Sequence, residues 1–274
     1  MITRYAHNCD LYYKVFSIPK SSGRSRRWIC APSRELKGLQ RWIVRYVLNP
    51  IQLHDAATGY RRRLSIVDNA KCHVDREFVA NVDIRDFFPS ISTPRVFGMF
   101  RSLGYCDDVA WILSRLCTYR GRLPQGAPSS PGITNVICRR LDARLSAYCD
   151  LYDWSYSRYS DDITVSGDGP LGQALRIMTK IISAEGFAIN PRKTRVSRRG
   201  ASQQVTGLIV NAAVALPRNK RKLIRAMFYR AKIGHPDAPS DSALSGHLAL
   251  LTMINPDDPA IEGYRQVLAA RQSE

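Results

Sequence analysis

Three aspartates carry the strongest chemical signal in this 274-residue sequence. Asp83 stands near the end of an apolar run, Phe78-Val79-Ala80-Asn81-Val82-Asp83-Ile84, which reads as a buried strand. Asp161 and Asp162 lie between residues 156–159 and 163–166, two short stretches that read as strands around a turn. Paired acids at a hairpin tip are ordinary in themselves, because Asp is a favoured turn residue. Here Tyr156, Tyr159, Ile163 and Val165 anchor the pair in a core sheet. A further acid on a neighbouring strand makes a cluster of three carboxylates, which resists joint ionisation without cations. Oxygen-only donors of this kind suit Mg²⁺. Two such ions about 3.5–4 Å apart stabilise the attacking and the leaving oxygen of a phosphoryl transfer.

The charge balance points to a polyanionic partner. Lys and Arg number 41 against 23 acids, a formal charge of +18 with a pI near 10.0. Residues 190–232 hold 12 Lys/Arg and no acid, and residues 11–45 hold 9 with only Glu35. Such stretches repel themselves unless an anion covers them. Nucleic acid is the expected partner, with an anionic membrane surface as the weaker alternative. The 7 cysteines include no CxxC pair, so neither a zinc site nor a disulfide framework follows from them. Thiols of this kind suit a reducing cytosol. Met1-Ile2-Thr3-Arg4-Tyr5 opens no signal region, and no run of about 18 apolar residues exists to span a membrane. A cytoplasmic protein is expected.

The elements that must position the carboxylates are mixed. Residues 11–31 read as a strand, a basic turn containing Ser21, Ser22 and Gly23, and a second strand. Ser33 caps a helix with apolar positions at Leu36, Leu39, Ile43, Val44 and Val47, stopped by Pro50. Helical spacing recurs over 96–103, 109–119, 132–148, 171–185, 219–233 and 242–254, and 205–210 reads as a short strand. Strands and helices follow no regular βαβ alternation, which favours an α+β arrangement. A break is expected near residue 211, ahead of a basic helical tail.

Four segments, in order, resemble the motifs of reverse transcriptases. Asn81-Val82-Asp83-Ile84-Arg85-Asp86-Phe87-Phe88-Pro89 looks like the first catalytic motif. Leu123-Pro124-Gln125-Gly126-Ala127-Pro128-Ser129-Ser130-Pro131 looks like the nucleotide-pocket loop, and Tyr159-Ser160-Asp161-Asp162 like the Tyr-x-Asp-Asp hairpin. Gly186-Phe187-Ala188-Ile189-Asn190, followed by Lys193-Thr194, looks like the next motif. Asn69-Ala70-Lys71-Cys72-His73 and Val205-Thr206-Gly207 narrow the resemblance to retron reverse transcriptases. Pro32-Ser33-Arg34-Glu35-Leu36-Lys37, Val96-Phe97-Gly98 and Ser102-Leu103-Gly104-Tyr105 also look retron-like. The resemblance covers residues 11 to 254.

The resemblance implies an α+β right hand, with fingers over residues 1–78, a palm over 79–210 and a thumb over 211–274. It implies that Asp83, Asp161 and Asp162 hold two Mg²⁺ ions, with the Ile84 carbonyl as a fourth contact. Arg27 and Arg34 become candidates for the incoming triphosphate, since a planar guanidinium matches phosphate; Arg24 and Arg26 compete with Arg27 for that role. Gln125 and Gly126 would line the nucleotide pocket. Phe88 would exclude a 2′-hydroxyl, or else be a core residue beside Phe87. Lys193 would position or protonate the leaving pyrophosphate, or simply be solvated. Asn69 and His73 have a family-specific structural or RNA-contacting role by the same resemblance. Val205, Thr206 and Gly207 would meet primer or template, or form a tight turn; Lys220, Arg221 and Lys222 would meet RNA phosphates.

The implied reaction is attack of a primer hydroxyl on a deoxynucleoside triphosphate. The implied partners are a cognate noncoding RNA, its branched RNA–DNA product and a separate effector protein in anti-phage defence. Two departures stand out. Ser160 replaces the more usual Ala, and the resemblance begins almost at Met1, where the family has a longer helical segment; part of the RNA grip is missing, or the gene start lies upstream. A group II intron or diversity-generating reverse transcriptase is the nearest rival, and an inactive RNA-binding scaffold the rival of another class. The Asn69–His73 and Val205–Gly207 signatures weigh against the first, and the three intact aspartates against the second.

Overall fold

The computed structural model describes residues 2–19 and 26–272. The expected basic turn with Ser21, Ser22, Gly23 and Arg24 lies outside the described residues. A short helix, α1 (Ile2–His7), precedes an antiparallel ribbon of β1 (Tyr13–Pro19) and β2 (Arg26–Pro32). Ser33 then caps α2 (Arg34–Ile43), its hydroxyl accepting from the Leu36 amide. The apolar spacing through Val47 continues past α2 as a π-helical turn, Val44–Leu48. Ser65 and Asp68 form a reciprocal capping box that starts α3 (Ile66–Lys71).

The sheet that matters for function has four antiparallel strands in the order β4-β5-β3-β6. They are β3 (Phe78–Asp83), β4 (Ser155–Tyr159), β5 (Asp162–Gly167) and β6 (Arg195–Arg198). Alternation fixes what each face of β3 does. Phe78, Ala80 and Val82 enter the main core, while Val79 on the other face joins a second core. Asn81 and Asp83 share that second face by their spacing of two.

Helices α4 (Phe87–Ser90), α5 (Thr93–Ser102), α6 (Asp107–Cys117), α7 (Ser130–Ile137), α8 (Arg139–Asp150) and α9 (Gly172–Ala184) follow in chain order. Residues 132–148, expected as one helix, divide at Cys138, whose ψ of −2° breaks the α geometry. The expected strand over 205–210 is instead a small hairpin of β7 (Gln204–Val205) and β8 (Leu208–Ile209). Thr206 and Gly207, with φ of 48° and 79°, make its two-residue turn, the type whose twist suits a hairpin. Beyond it lie α10 (Arg218–Lys232), α11 (Asp241–Ile254) and α12 (Ala260–Gln272). The second core gathers α3, Val79, the β7–β8 hairpin and these three helices.

Candidate active site

The three aspartates meet because β3 and β5 pair in one register. Asp83 stands directly opposite Asp162, and the Ile84 amide donates to the Asp161 carbonyl at 3.0 Å. Ser160 takes a φ of 64° at the hairpin tip, a left-handed conformation that a small residue tolerates best. Lys193 closes the group, its Nζ 2.7 Å from Asp83 Oδ2. It is carried there by the turn after Asn190, whose amide donates to the Asp83 carbonyl at 2.8 Å.

The electrostatics follow from this crowding. The Asp162 carboxyl is pushed up to about 6, by desolvation first, then by Asp161 and Asp83, with Lys193 opposing. Asp162 itself is exposed, so water moderates the desolvation part; the upward direction also stands on its two like-charged neighbours. Lys193 is held protonated above its ordinary value, chiefly by the hydrogen bond to Asp83. The donor set is all oxygen, which fits Mg²⁺. Among the described residues, however, no three acidic, histidine or cysteine side chains are already gathered as a closed ligand set.

Two connected clefts open on the carboxylates. One, of about 530 Å³, is lined by Arg27, Tyr60, Asp83, Phe88, Gln125 and Lys193, among others. The other runs from Asp83, Asp161 and Asp162 past Arg195 to Thr206 and Gly207, and Arg27 borders both. A larger hollow of about 730 Å³ among α5, α7 and α8 contains none of the expected site residues. Arg26, a competitor of Arg27, is tied to Ser17 by bonds of 2.6 and 2.9 Å. Phe87 is buried while Phe88 is half-buried beside the cleft, with Tyr60 at 6.5 Å between ring centroids. Asp86 at φ 47° makes the left-handed step that leads from β3 into α4.

Some expected site residues sit elsewhere. Arg34 is exposed on the first turn of α2 and borders neither cleft. Gly126 packs against the β1–β2 ribbon rather than the nucleotide cleft. A Cβ there would stand 2.8 Å from Ile29 Cγ2, and Cys30 donates its amide to the Gln125 carbonyl at 2.8 Å. Asn69 and His73 are both 0% exposed, so their side chains cannot reach an RNA. Asn69 accepts from the Thr58 hydroxyl at 2.6 Å. The His73 ring bridges Ser166 and Ser157, each at 2.7 Å, and so ties β5 to β4. Val205 is a core residue; Thr206 borders the cleft while its hydroxyl donates to the Ile66 carbonyl at 3.1 Å. Lys220, Arg221 and Lys222 are exposed on α10, and the Lys220 ammonium lies 3.3 Å from where a Gly207 Cβ would stand.

Residues that no sequence pattern singled out support the hairpin from below. Arg158 and Asp142 are fully buried and joined by two bonds of 2.7 Å. Arg158 also donates to the Ser160 carbonyl at 3.1 Å and to Asn135 at 3.2 Å, and Tyr156 donates to Asp142 at 2.8 Å. From the other side, the loop at 56–60 grips the hairpin. Arg158 donates its amide to the Ala56 carbonyl at 2.7 Å, and Ser160 donates its hydroxyl to Tyr60 at 3.1 Å. Gly59 is needed there, since a Cβ would meet the Ser160 nitrogen at 2.6 Å. The available signal was an arginine inside a strand otherwise read as core, which demands a buried partner.

Comparison with known proteins places the chain in a family. Residues 18–212 match the family described as reverse transcriptase (RNA-dependent DNA polymerase). The chain is 38% identical over 232 residues to the retron Ec86 reverse transcriptase of Escherichia coli, covering 83% of this chain and 72% of that one. It is 37% identical to the retron Mx162 and 36% identical to the retron Mx65 reverse transcriptase of Myxococcus xanthus. Those two matches cover 89% and 90% of this chain and 58% and 62% of theirs. In structure it resembles telomerase from Candida albicans, with a TM-score of 0.53 and 12% identity over 81% of this chain and 50% of that one. It also resembles the foamy viral protease-reverse transcriptase, with a TM-score of 0.50 and 15% identity over 94% of this chain and 30% of that one. At these identities the structural likeness speaks for the polymerase fold alone. The sequence relatives go further: the chain belongs to the reverse transcriptases, RNA-directed DNA polymerases, and among them to the retron type.

Proposed function

We propose that this polymerase copies a cognate structured noncoding RNA into single-stranded DNA that stays joined to the RNA through a 2′-5′ branch. The observation that carries the reading is the register pair Asp83–Asp162 with Asp161 and Lys193 at the mouth of a nucleotide-sized cleft. Asp83, Asp161 and Asp162 would hold two Mg²⁺ ions, with the Ile84 carbonyl beside them. The ions would supply charge stabilisation for both oxygens of the displacement.

The chain's own residues do the rest. Arg27, bordering both clefts, binds the triphosphate. Gln125 lines the nucleotide cleft, and the Phe88 ring excludes a 2′-hydroxyl by shape. Lys193, kept protonated beside Asp83, gives its proton to the leaving pyrophosphate. Fingers over residues 1–78, a palm over 79–210 and a thumb over 211–274 remain the proposed division. Asn69 and His73 serve it as internal fasteners, and Lys220–Lys222 as phosphate contacts. Anti-phage defence with a separate effector, in a cytoplasm that suits seven free thiols, completes the reading.

The test is expression of the gene with its flanking DNA, followed by extraction of nucleic acid and treatment with ribonuclease and a debranching enzyme. A discrete DNA whose mobility shifts on debranching is the expected result. Heterogeneous RNA with no attached DNA would overturn the retron-type product and leave a general reverse transcriptase or an inactive scaffold.

A further inference from the structure

Arg34, Lys37, Arg41 and Arg45, the cations that follow Arg27 in the first basic stretch, border neither cleft, and their geometry gives them a different task. At 100° per residue, Arg34, Lys37 and Arg41 fall on one edge of the exposed face of α2, and the exposed Arg45 follows on its π-helical extension. Trp42 and Tyr46 form the adjacent edge, each 54% exposed, with ring centroids 5.4 Å apart. Gly38 lies between the two rows, and nothing stands within 4 Å of where its Cβ would be. The Arg45 guanidinium sits over the Tyr46 ring at 5.1 Å. The opposite face is committed to the core through Leu36, Gln40 and Ile43. Gln40 donates to the Tyr13 hydroxyl at 2.7 Å and to the Leu116 carbonyl at 2.8 Å.

Two features bear on this face beyond its four cations, none of which makes an ion pair among the described residues. Its one acid, Glu35, belongs to the first turn, where its own amide and Ser33 hold the carboxyl below its usual range. The π-helical turn, closed by the Asn49 amide to the Val44 carbonyl at 2.8 Å, shifts the phase of the helix at Tyr46. Such insertions cost helix geometry and are frequent at functional sites.

We infer that this face is a second nucleic-acid contact, outside the polymerase cleft, which takes a single-stranded RNA segment with its phosphates along Lys37, Arg41 and Arg45 and its bases on Trp42 and Tyr46. A row of cations beside a pair of open rings matches such a strand in both of its chemistries, backbone charge and base π-face. A protein partner of ordinary composition would satisfy the rings and leave the cations unmatched. A duplex would satisfy the cations and leave the rings bare, because its bases are already stacked. The inference rests on the reading of the chain as an RNA-using polymerase, and its test separates the two.

The experiment uses the whole chain with its cleft filled by a short primer–template, and oligoadenylate carrying photoreactive bases as the second ligand. Crosslinks mapped to Trp42 and Tyr46 are expected. Trp42→Ala with Tyr46→Ala should weaken oligoadenylate binding by about tenfold or more, the scale of losing one or two stacked bases. Lys37→Gln, Arg41→Gln and Arg45→Gln together should flatten the salt dependence by about two units of slope, since each phosphate neutralised on a single strand contributes about 0.7. Trp42→Phe with Tyr46→Phe should restore most of the binding, which a purely structural role would not require to track ring stacking. Extension of the short primer–template should stay at the wild-type rate in every variant.

Unchanged oligoadenylate affinity in the alanine variant would overturn the inference, as would crosslinks confined to the cleft. An equal loss of short-substrate extension would also overturn it, because the face would then be part of the polymerase scaffold. A change of oligomeric state without loss of RNA affinity would assign the face to a second copy of the chain instead. Failure of the wild-type protein to extend the short primer–template would count against the proposed polymerase activity and not against this surface.

Discussion

Arg158 and Asp142, both at 0% exposure, meet through two bonds of 2.7 Å beneath the hairpin that carries Asp161 and Asp162. Arg158 reaches the Ser160 carbonyl from there, so the pair is tied directly to the turn of the hairpin. Removing one partner leaves a buried uncompensated charge, which costs about 3–5 kcal/mol. Asp142→Leu and Arg158→Met should each show a loss of that size in chemical denaturation. The double variant Arg158→Met with Asp142→Leu should lose clearly less than the sum, because neither charge is then stranded. Additive losses would mean that the two residues act separately.

Asp161→Asn and Asp162→Asn should reduce primer extension below detection while leaving folding and RNA binding intact. The amide keeps the shape of the side chain and removes the charge that would hold the cations. Chelation of divalent ions should do the same to the wild-type protein, with activity restored by Mg²⁺. Normal extension by Asp161→Asn would sink the two-metal assignment.

Phe88→Ala should relax the choice of sugar. Both rings border the cleft, but Phe87 is buried in the core while Phe88 is half-buried and the more accessible of the two. Discrimination against ribonucleotides should fall by about tenfold or more, the range for a small steric change in a pocket. Incorporation assays with matched ribo- and deoxynucleotides measure it. Unaltered discrimination would return Phe88 to a packing role against Phe87 and Tyr60.

Lys220→Gln, Arg221→Gln and Lys222→Gln together should flatten the salt dependence of primer–template binding. The three are exposed at the start of α10, with Lys220 over the turn that borders the cleft. Each phosphate left without its cation removes about 0.7–0.9 from the slope of log affinity against log salt, so a change of about two units is expected. The same slope as wild type would place these side chains away from the nucleic acid.

His73 should make stability depend on pH. Burial depresses its pKa to about 3 from an ordinary value of 6.5, with nearby Arg76 adding to the effect. The unfolded chain therefore binds the proton first, and stability rises with pH across that interval. The contribution is fully present above about pH 6.5 and is lost as pH falls toward about 3, at up to about 1.4 kcal/mol per pH unit. His73→Asn should flatten the denaturation midpoint measured across pH 4.5–6.5. An equally steep profile in that variant would assign the dependence to other groups.

The sequence by itself determined the chemistry of this protein. Asp83, the Asp161–Asp162 pair and the loop from Leu123 are local patterns, legible because strand alternation and turn preference act between near neighbours. The helix start at Ser33 was legible for the same reason, since a cap is written within four residues. The tertiary structure decided what each residue faces. Asn69 and His73 read as either structural or RNA-contacting, and their burial and hydrogen bonds favour the structural alternative. Gly126 became a neighbour of the β1–β2 ribbon, and Arg34 moved from the nucleotide to the outer face of α2. Arg158 found Asp142 sixteen positions away, on a helix that no pattern tied to the hairpin. Burial and long-range pairing arise from packing between distant segments, and a linear pattern records neither.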